Sequence, residues 1–148
     1  MQKERFGQIA TSHLFLFRDK KILLLRRFNT GYEDGKYSVI AGHIEENETV
    51  RQTMVREAKE EANIDINIED LEIVHVMHRN ENEKRIDFFL TTKKWNGEPK
   101  IMESHKCDDL SWFELKNLPN NIVPYIKQAI NYFSNNLLYS EYGWKKFK

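Results

Sequence analysis

Within 148 residues there is one cysteine, with three prolines and six glycines, and neither sign of charge dominates: 23 Lys plus Arg stand against 23 Asp plus Glu. Each shortage excludes something. With Cys107 alone, no internal disulfide can form and no Cys/His zinc cluster can be assembled, which points to a reducing, cytoplasmic setting. With a formal net charge of zero, neither nucleic acid nor an anionic membrane is an expected partner, because both select a basic excess. The longest apolar runs, residues 14–17 and 22–25, fall far short of the roughly 20 residues needed to cross a bilayer. The polar segment 1–11 does not resemble a signal peptide. What is present is 40% apolar residues, of which many are aromatic, the composition of a globular chain rather than a disordered one. The length suits one domain over 1–148, with its core at about 12–135 and a C-terminal tail at 136–148.

Hydrophobic patterning gives the order of elements. Residues 13–17 and 22–28 are short Leu/Ile/Phe-rich runs separated by Arg18-Asp19-Lys20-Lys21, which predicts a hairpin. A third strand is expected at 37–41, reached through Asn29-Thr30-Gly31-Tyr32-Glu33-Asp34-Gly35, a turn-rich surface loop of the kind that borders sites. From Thr49 to Ala62 the period becomes helical, with Val50, Met54, Ala58 and Ala62 four apart, and Thr49 with Gln52 forms a capping-box pattern. Asn63 falls where a helix ends in left-handed geometry. A second strand pair is expected at 71–78 and 86–92, a loop at 95–106, a last strand at 110–115 and a helix beginning near Pro124. This order implies an α+β or α/β sandwich, helices packed on the faces of a mixed sheet.

The first helix carries a feature that folding alone does not explain. Glu57, Glu60 and Glu61 stand at i, i+3 and i+4, which puts three carboxylates on one face with Cβ atoms roughly 5–6 Å apart. Such pairs cost a few tenths of a kcal/mol each, and Arg56 and Lys59 relieve only part of it. A hard divalent cation is the natural complement, and carboxylates suit Mg²⁺ or Mn²⁺. A solvated acidic helix face would show the same three glutamates, so the surrounding spacing decides.

That spacing is Gly42, Glu48, Arg56, Glu57, Glu60, Glu61 and Ile64, or G-x5-E-x7-R-E-A-x-E-E-x-N-I. It strongly resembles the signature of the Nudix hydrolases. Six of the seven invariant letters are in place, Ala58 and Ile64 fill the apolar slots, and the one departure is Asn63 where the family has glycine. Asn is the next-best residue for left-handed geometry, so the fold is expected to survive the change. Softer matches at Arg26-Arg27, Asn29-Thr30-Gly31-Tyr32, Gly42-His43-Ile44-Glu45, Gly97-Glu98-Pro99 and Trp112-Phe113 look like the small MutT-like subgroup.

The resemblance implies a Nudix-type α/β/α sandwich and a Mg²⁺-dependent hydrolase, with Mn²⁺ as the other candidate ion. Metal-activated water would attack phosphorus in a diphosphate linkage of a nucleoside triphosphate or related nucleoside diphosphate derivative. It implies that Glu60 and Glu61 are the principal metal ligands and Glu57 a ligand or water-orienting base, with the carbonyl oxygen of Ala41 completing the site. The catalytic set is Glu57, Glu103 and Arg56, of which Arg56 with Glu48 is expected to hold the loop–helix–loop rigid, as Gly42 does. Glu103 is the further carboxylate expected to act as base or ligand, and Glu98 is its competitor. Arg27 is the candidate phosphate contact, against a solvated strand-end charge. Trp95, Trp112 and Phe113 are expected to pack in the core, Cys107 to be structural, and His75 and His78, on opposite faces of a strand, to be no metal pair.

Two alternatives stay open: an ADP-ribose or nucleotide-sugar pyrophosphatase, and a Nudix module that binds nucleotide without turnover. The implied partner is a small nucleotide, and a homodimer is left open.

Overall fold

The computed structural model describes residues 4–145. In chain order the elements are β1 (Ile9–Phe15), β2 (Phe17–Arg18), β3 (Lys21–Arg27), β4 (Tyr37–Ser38), β5 (Ile40–His43), α1 (Val50–Ala62), β6 (Glu72–Glu81), β7 (Glu83–Thr91), β8 (Cys107–Glu114), α2 (Pro124–Ser134) and β9 (Tyr139–Tyr142). They form two sheets. One is mixed, in the order β5-β1-β7-β6-β9, with β1/β7 and β6/β9 parallel. The other is antiparallel around β3, which carries β8 along one edge and the short β2 and β4 along the other.

Both apolar runs explain themselves in this arrangement. Phe15, Ile22 and Leu24 join a core with Met77, Phe89 and the α2 residues Ile126 and Ile130, whereas Leu14, Leu16, Leu23 and Leu25 join one with Met54, Ala58 and Ile64 around α1. A strand buried on both faces has no polar face to show, hence continuous hydrophobic residues. Each such Leu or Ile contributes about 1.5–3 kcal/mol on burial. The helices therefore cover opposite sides, and the sandwich expected from the sequence is the observed architecture.

Boundaries differ where strands change sheets. The run at 13–17 is not one arm of a hairpin: β1 begins at Ile9 and belongs to the mixed sheet, and only Phe17–Arg18 pairs with β3. The hairpin turn is Asp19-Lys20, both at positive φ (51° and 64°), the two-residue geometry that fits the twist of paired strands. The expected third strand divides at Val39 in the same way, β4 pairing with β3 and β5 with β1. These crossings stitch the two sheets together at the edge where α1 begins. The β6/β7 turn is tighter than expected, with Glu81 opposite Glu83 around Asn82 at φ 60°.

The α1 termini match the sequence pattern. Thr49 and Gln52 form the reciprocal capping box, and Asn63 adopts φ 57°, ψ 35° with its N–H donating to Lys59. At the other end of the chain the expected tail is corrected. Residues 139–142 form β9, paired with β6 and tied to buried His75, whose Nδ1 donates to Leu137 O (2.8 Å) and whose Nε2 accepts from Ser140 Oγ (2.8 Å). Trp144 packs on His78 and donates to its carbonyl oxygen. The basic end Lys146-Phe147-Lys148 lies outside the described residues. No helix among the described residues is long and apolar enough to cross a membrane.

Because Ser140 is the partner of a buried imidazole nitrogen, Ser140→Ala is expected to cost about 1–3 kcal/mol, the scale of an orphaned buried polar group. Urea unfolding measures it; a change within 0.3 kcal/mol would show that β9 contributes no stability through this contact.

Candidate active site

The α1 glutamates open into a cleft of about 810 Å³ whose lining includes Glu57, Glu60, Glu61, Ala41, Gly42, Arg27 and Glu103. Glu61 is fixed by the backbone of β5, its Oε2 accepting from Ala41 N at 3.0 Å. Glu57 lies over Gly42, where a Cβ would overlap its carboxyl group. Gly42 is thus required for space and not for an unusual backbone angle.

Arg56 organises the approach to these residues. Its Nε and Nη2 bind both Glu48 carboxylate oxygens (2.7 and 2.9 Å), Nη1 bridges Glu57 Oε1 (2.7 Å) and Glu60 Oε2 (3.3 Å), and Nη2 also reaches His43 O (3.3 Å). Glu48 further accepts from Thr53 Oγ1 and the Glu45 N–H. These bonds tie β5, the loop carrying Glu48 and α1 to one another. The guanidinium hydrogen bonds pull the Glu48 carboxyl down to about 2.

Glu103 and Glu98 separate clearly. The 95–106 segment is sewn to the end of α1 by Lys100 N to Ala62 O (3.1 Å) and Met102 N to Glu61 O (3.4 Å). Glu103 follows directly, and its own carbonyl accepts from the Lys106 and Cys107 N–H groups. It faces the same cleft as the helix glutamates. Glu98 instead pairs with Arg18 (2.9 and 3.1 Å), and is not among the cleft-lining residues.

Burial, then neighbouring charge, raises the Glu57 carboxyl above its ordinary value, and pushes Glu61 well above it; Glu103 adds to the negative potential on both. Arg27 also lines the cleft, oriented by Tyr32 O (2.7 Å) and Thr30 Oγ1 (3.0 Å) and lying near the Tyr32 ring. Asp34 ties that loop by accepting from the Thr30 and Gly31 N–H groups.

The donor set fits a hard divalent cation: carboxylates of Glu57, Glu60, Glu61 and Glu103, with the backbone of Ala41 beside them, all oxygen. As the side chains stand, no three acidic, His or Cys groups among the described residues converge on one point, because Arg56 occupies Glu57 and Glu60 and the Ala41 N–H occupies Glu61.

The remaining expected residues are elsewhere. Trp95 stacks on Trp112 with the Arg18 guanidinium over both, and Phe113 packs edge-on against Tyr37. Cys107 borders the cleft with its thiol donating to Asp109 O and pushed up by burial. Sequence reasoning missed the far wall, where Thr11, Arg79, Glu81, Asn82 and Tyr32 also line the cleft. The available signal was strand alternation: Arg79 and Asp87 each lie two residues from the buried Met77 and Phe89, and so point inward.

The NUDIX domain family model matches residues 8–133. The chain belongs to the Nudix family, hydrolases of phosphorus anhydrides, and its fold is that of the MutT-like members. A MutT Nudix hydrolase from Burkholderia pseudomallei superposes at TM-score 0.78 with 22% identity, over 85% of this chain and 98% of that one. The MutT protein from Methanosarcina mazei Go1 does so at 0.73 with 18% identity, over 90% and 97%. An ADP-ribose pyrophosphatase from Streptococcus suis reaches 0.64 with 16% identity, over 93% and 100%.

Two outcomes follow from the geometry. Gly42→Ala should fold but displace Glu57, lowering kcat by about 10²-fold, the effect of an ångström-scale misplacement; unaltered kinetics would show that Glu57 has no positional task. Because the folded Glu48 carboxyl titrates near 2 and the unfolded one near 4.5, its stabilisation is complete above pH 4.5 and lost as pH falls through about 2. The stability gap between wild type and Glu48→Gln in denaturant titrations should narrow over that window and stay constant above it.

Proposed function

We propose that the chain is a Mg²⁺- or Mn²⁺-dependent pyrophosphohydrolase that cleaves a diphosphate linkage in a nucleoside triphosphate or a related nucleoside diphosphate derivative. One observation carries this reading. A cleft large enough for a nucleotide is lined by the mutually close carboxylates of Glu57, Glu60, Glu61 and Glu103 and by the cation Arg27. Small-molecule sites run from about 300 to 1,000 Å³, and carboxylates this crowded, with one guanidinium shared between Glu57 and Glu60, complement the cations that a polyphosphate also requires.

Glu57, Glu60 and Glu61, with the Ala41 carbonyl, would hold the ion, exchanging their present contacts with Arg56 and the Ala41 N–H for it. A divalent ion, when bound, neutralises phosphate oxygens and acidifies the attacking water. Glu103 would accept a proton from the attacking water at its carboxylate. It suits this task better than Glu57, since its side chain is 31% exposed against 14% and Glu57 is held by the Arg56 guanidinium. Arg27 would orient a phosphate, its fork already fixed by Tyr32 and Thr30. Gly42, Glu48 and Arg56 position these groups without touching substrate.

EDTA should abolish turnover and Mg²⁺ or Mn²⁺ restore it. Glu61→Gln should weaken metal affinity by about 100-fold, at least the upper figure for outer-shell partners. Glu103→Gln should cut kcat by about 10²–10⁴-fold while metal affinity holds, as for loss of a general base. Glu98→Gln, outside the cleft, should leave kcat within twofold. Steady-state kinetics with metal titration separates these, and robust turnover in excess chelator would overturn the reading.

A further inference from the structure

The last carbonyls of an α-helix find no partner within it, and α1 recruits partners from far along the chain. Directly after the helix, Asn63 N–H donates to Lys59 O (3.1 Å). The carbonyls of Glu61 and Ala62 are met instead by the loop before β8, through Met102 N (3.4 Å) and Lys100 N (3.1 Å). A little earlier in that loop Asn96 and Asp65 exchange both backbone hydrogen bonds at 2.9 Å, an isolated antiparallel bridge. The loop that ends in Glu103 thus caps the helix that carries Glu57, Glu60 and Glu61.

Backbone bonds carry this attachment, because burial does not. Lys100, Ile101 and Met102 before Glu103, and Ser104, His105 and Lys106 after it, are all exposed, whereas Glu103 is half-buried. Ile101 and Met102 expose 37% and 46% of their surface, so neither anchors the loop in a core. Alternate residues, Lys100 and Met102, turn their N–H groups to the helix, as an extended chain permits. A loop held in this way keeps its place only while its path along the helix end is kept.

Gly97 sets that path. It follows the bridging Asn96 at once and has φ +98°, a conformation that glycine adopts and side chains resist. A Cβ at residue 97 would stand 3.0 Å from Asn63 O, the carbonyl of the left-handed residue that ends α1. The atom it would meet is backbone, which cannot swing aside as a long side chain can. Residue 97 passes the helix end at this distance because it has no side chain.

We propose that Gly97 is a positioning residue for Glu103. With the Asn96–Asp65 bridge it launches the loop onto the open carbonyls of Glu61 and Ala62, and so fixes where the Glu103 carboxylate stands relative to the three helix carboxylates. It acts through Glu103 and touches neither substrate nor metal. Gly42 makes room for Glu57 on the strand side of the site, and Gly97 performs the matching task for the loop carboxylate. The chemical use of Glu103 rests on the hydrolase reading; the tie between loop and helix is testable without turnover.

Amide hydrogen exchange by NMR on the full chain, Mn²⁺ titration without substrate, and kcat with Mg²⁺ test this in Gly97→Ala, Lys100→Pro, Glu103→Gln and the double variant Gly97→Ala/Glu103→Gln. Gly97→Ala should speed exchange at Lys100 and Met102 about tenfold, leave it unchanged at Met54 within α1, and hold the Mn²⁺ Kd within twofold. Its kcat should fall about 10²-fold, the effect of an ångström-scale misplacement. In the Glu103→Gln background the same substitution should alter kcat less than twofold, because no carboxylate remains to be misplaced. Lys100→Pro deletes the donor to Ala62 O and keeps Gly97; it should lower kcat similarly, and it carries the comparison if Gly97→Ala does not fold. An equal fall in both backgrounds, or unchanged exchange at Lys100 and Met102, would overturn the proposal. Full turnover by Glu103→Gln would sink the reading of Glu103 as the base, while faster exchange at Lys100 and Met102 in Gly97→Ala would still sustain the tie.

Discussion

The site depends on the Arg56 guanidinium, which binds a loop carboxylate, a strand carbonyl and two helix carboxylates at once. Only a planar fork with several donors can do this, and lysine, a point charge, would hold one partner. The consequence is that β5, the loop carrying Glu48 and the exposed face of α1 move as one piece. Gly42 completes the clamp by leaving room for Glu57, and the Ala41 N–H anchors Glu61. The carboxylate face is therefore set by three local contacts between neighbouring segments.

This clamp also carries a conflict that has a functional meaning. It brings Glu57 and Glu61 together in a partly buried place, where burial and mutual repulsion oppose ionisation. A fold selected for stability alone would not assemble carboxylates so. Arg56 offsets part of the cost by sharing its charge between Glu57 and Glu60, and the Ala41 N–H meets Glu61.

The far wall follows a different logic. Its charges are paired and buried on the central strands β6 and β7, and they are braced from behind by Tyr125 and β9. Truncating one member would leave the other buried and unpaired, which costs several kcal/mol. One cleft therefore joins an end that is polyanionic and adaptable to an end that is neutralised and stiff.

What the sequence determined by itself is local. The helix and its caps, Thr49 with Gln52 and Asn63, and the three-carboxylate face follow from intervals of three and four residues, and the Nudix spacing from Gly42 to Ile64 lies within one continuous segment. Arg56 with Glu48 belongs to the same segment and was legible for that reason. Tertiary structure decided the rest. A run such as 13–17 or 37–41 has the same composition whether it stays in one sheet or crosses at Leu16 or Val39, because both faces are buried in either case. Residues 139–142 are too short and polar to announce a strand, and become one only because buried His75 needs Ser140. Glu103 and Glu98 are five residues apart in one loop, and only the hydrogen bonds that sew Met102 to Glu61 place the first in the cleft. The far wall joins Thr11, Tyr32, Arg79 and Tyr125 across more than 110 residues, a distance over which spacing carries no information and packing alone selects neighbours.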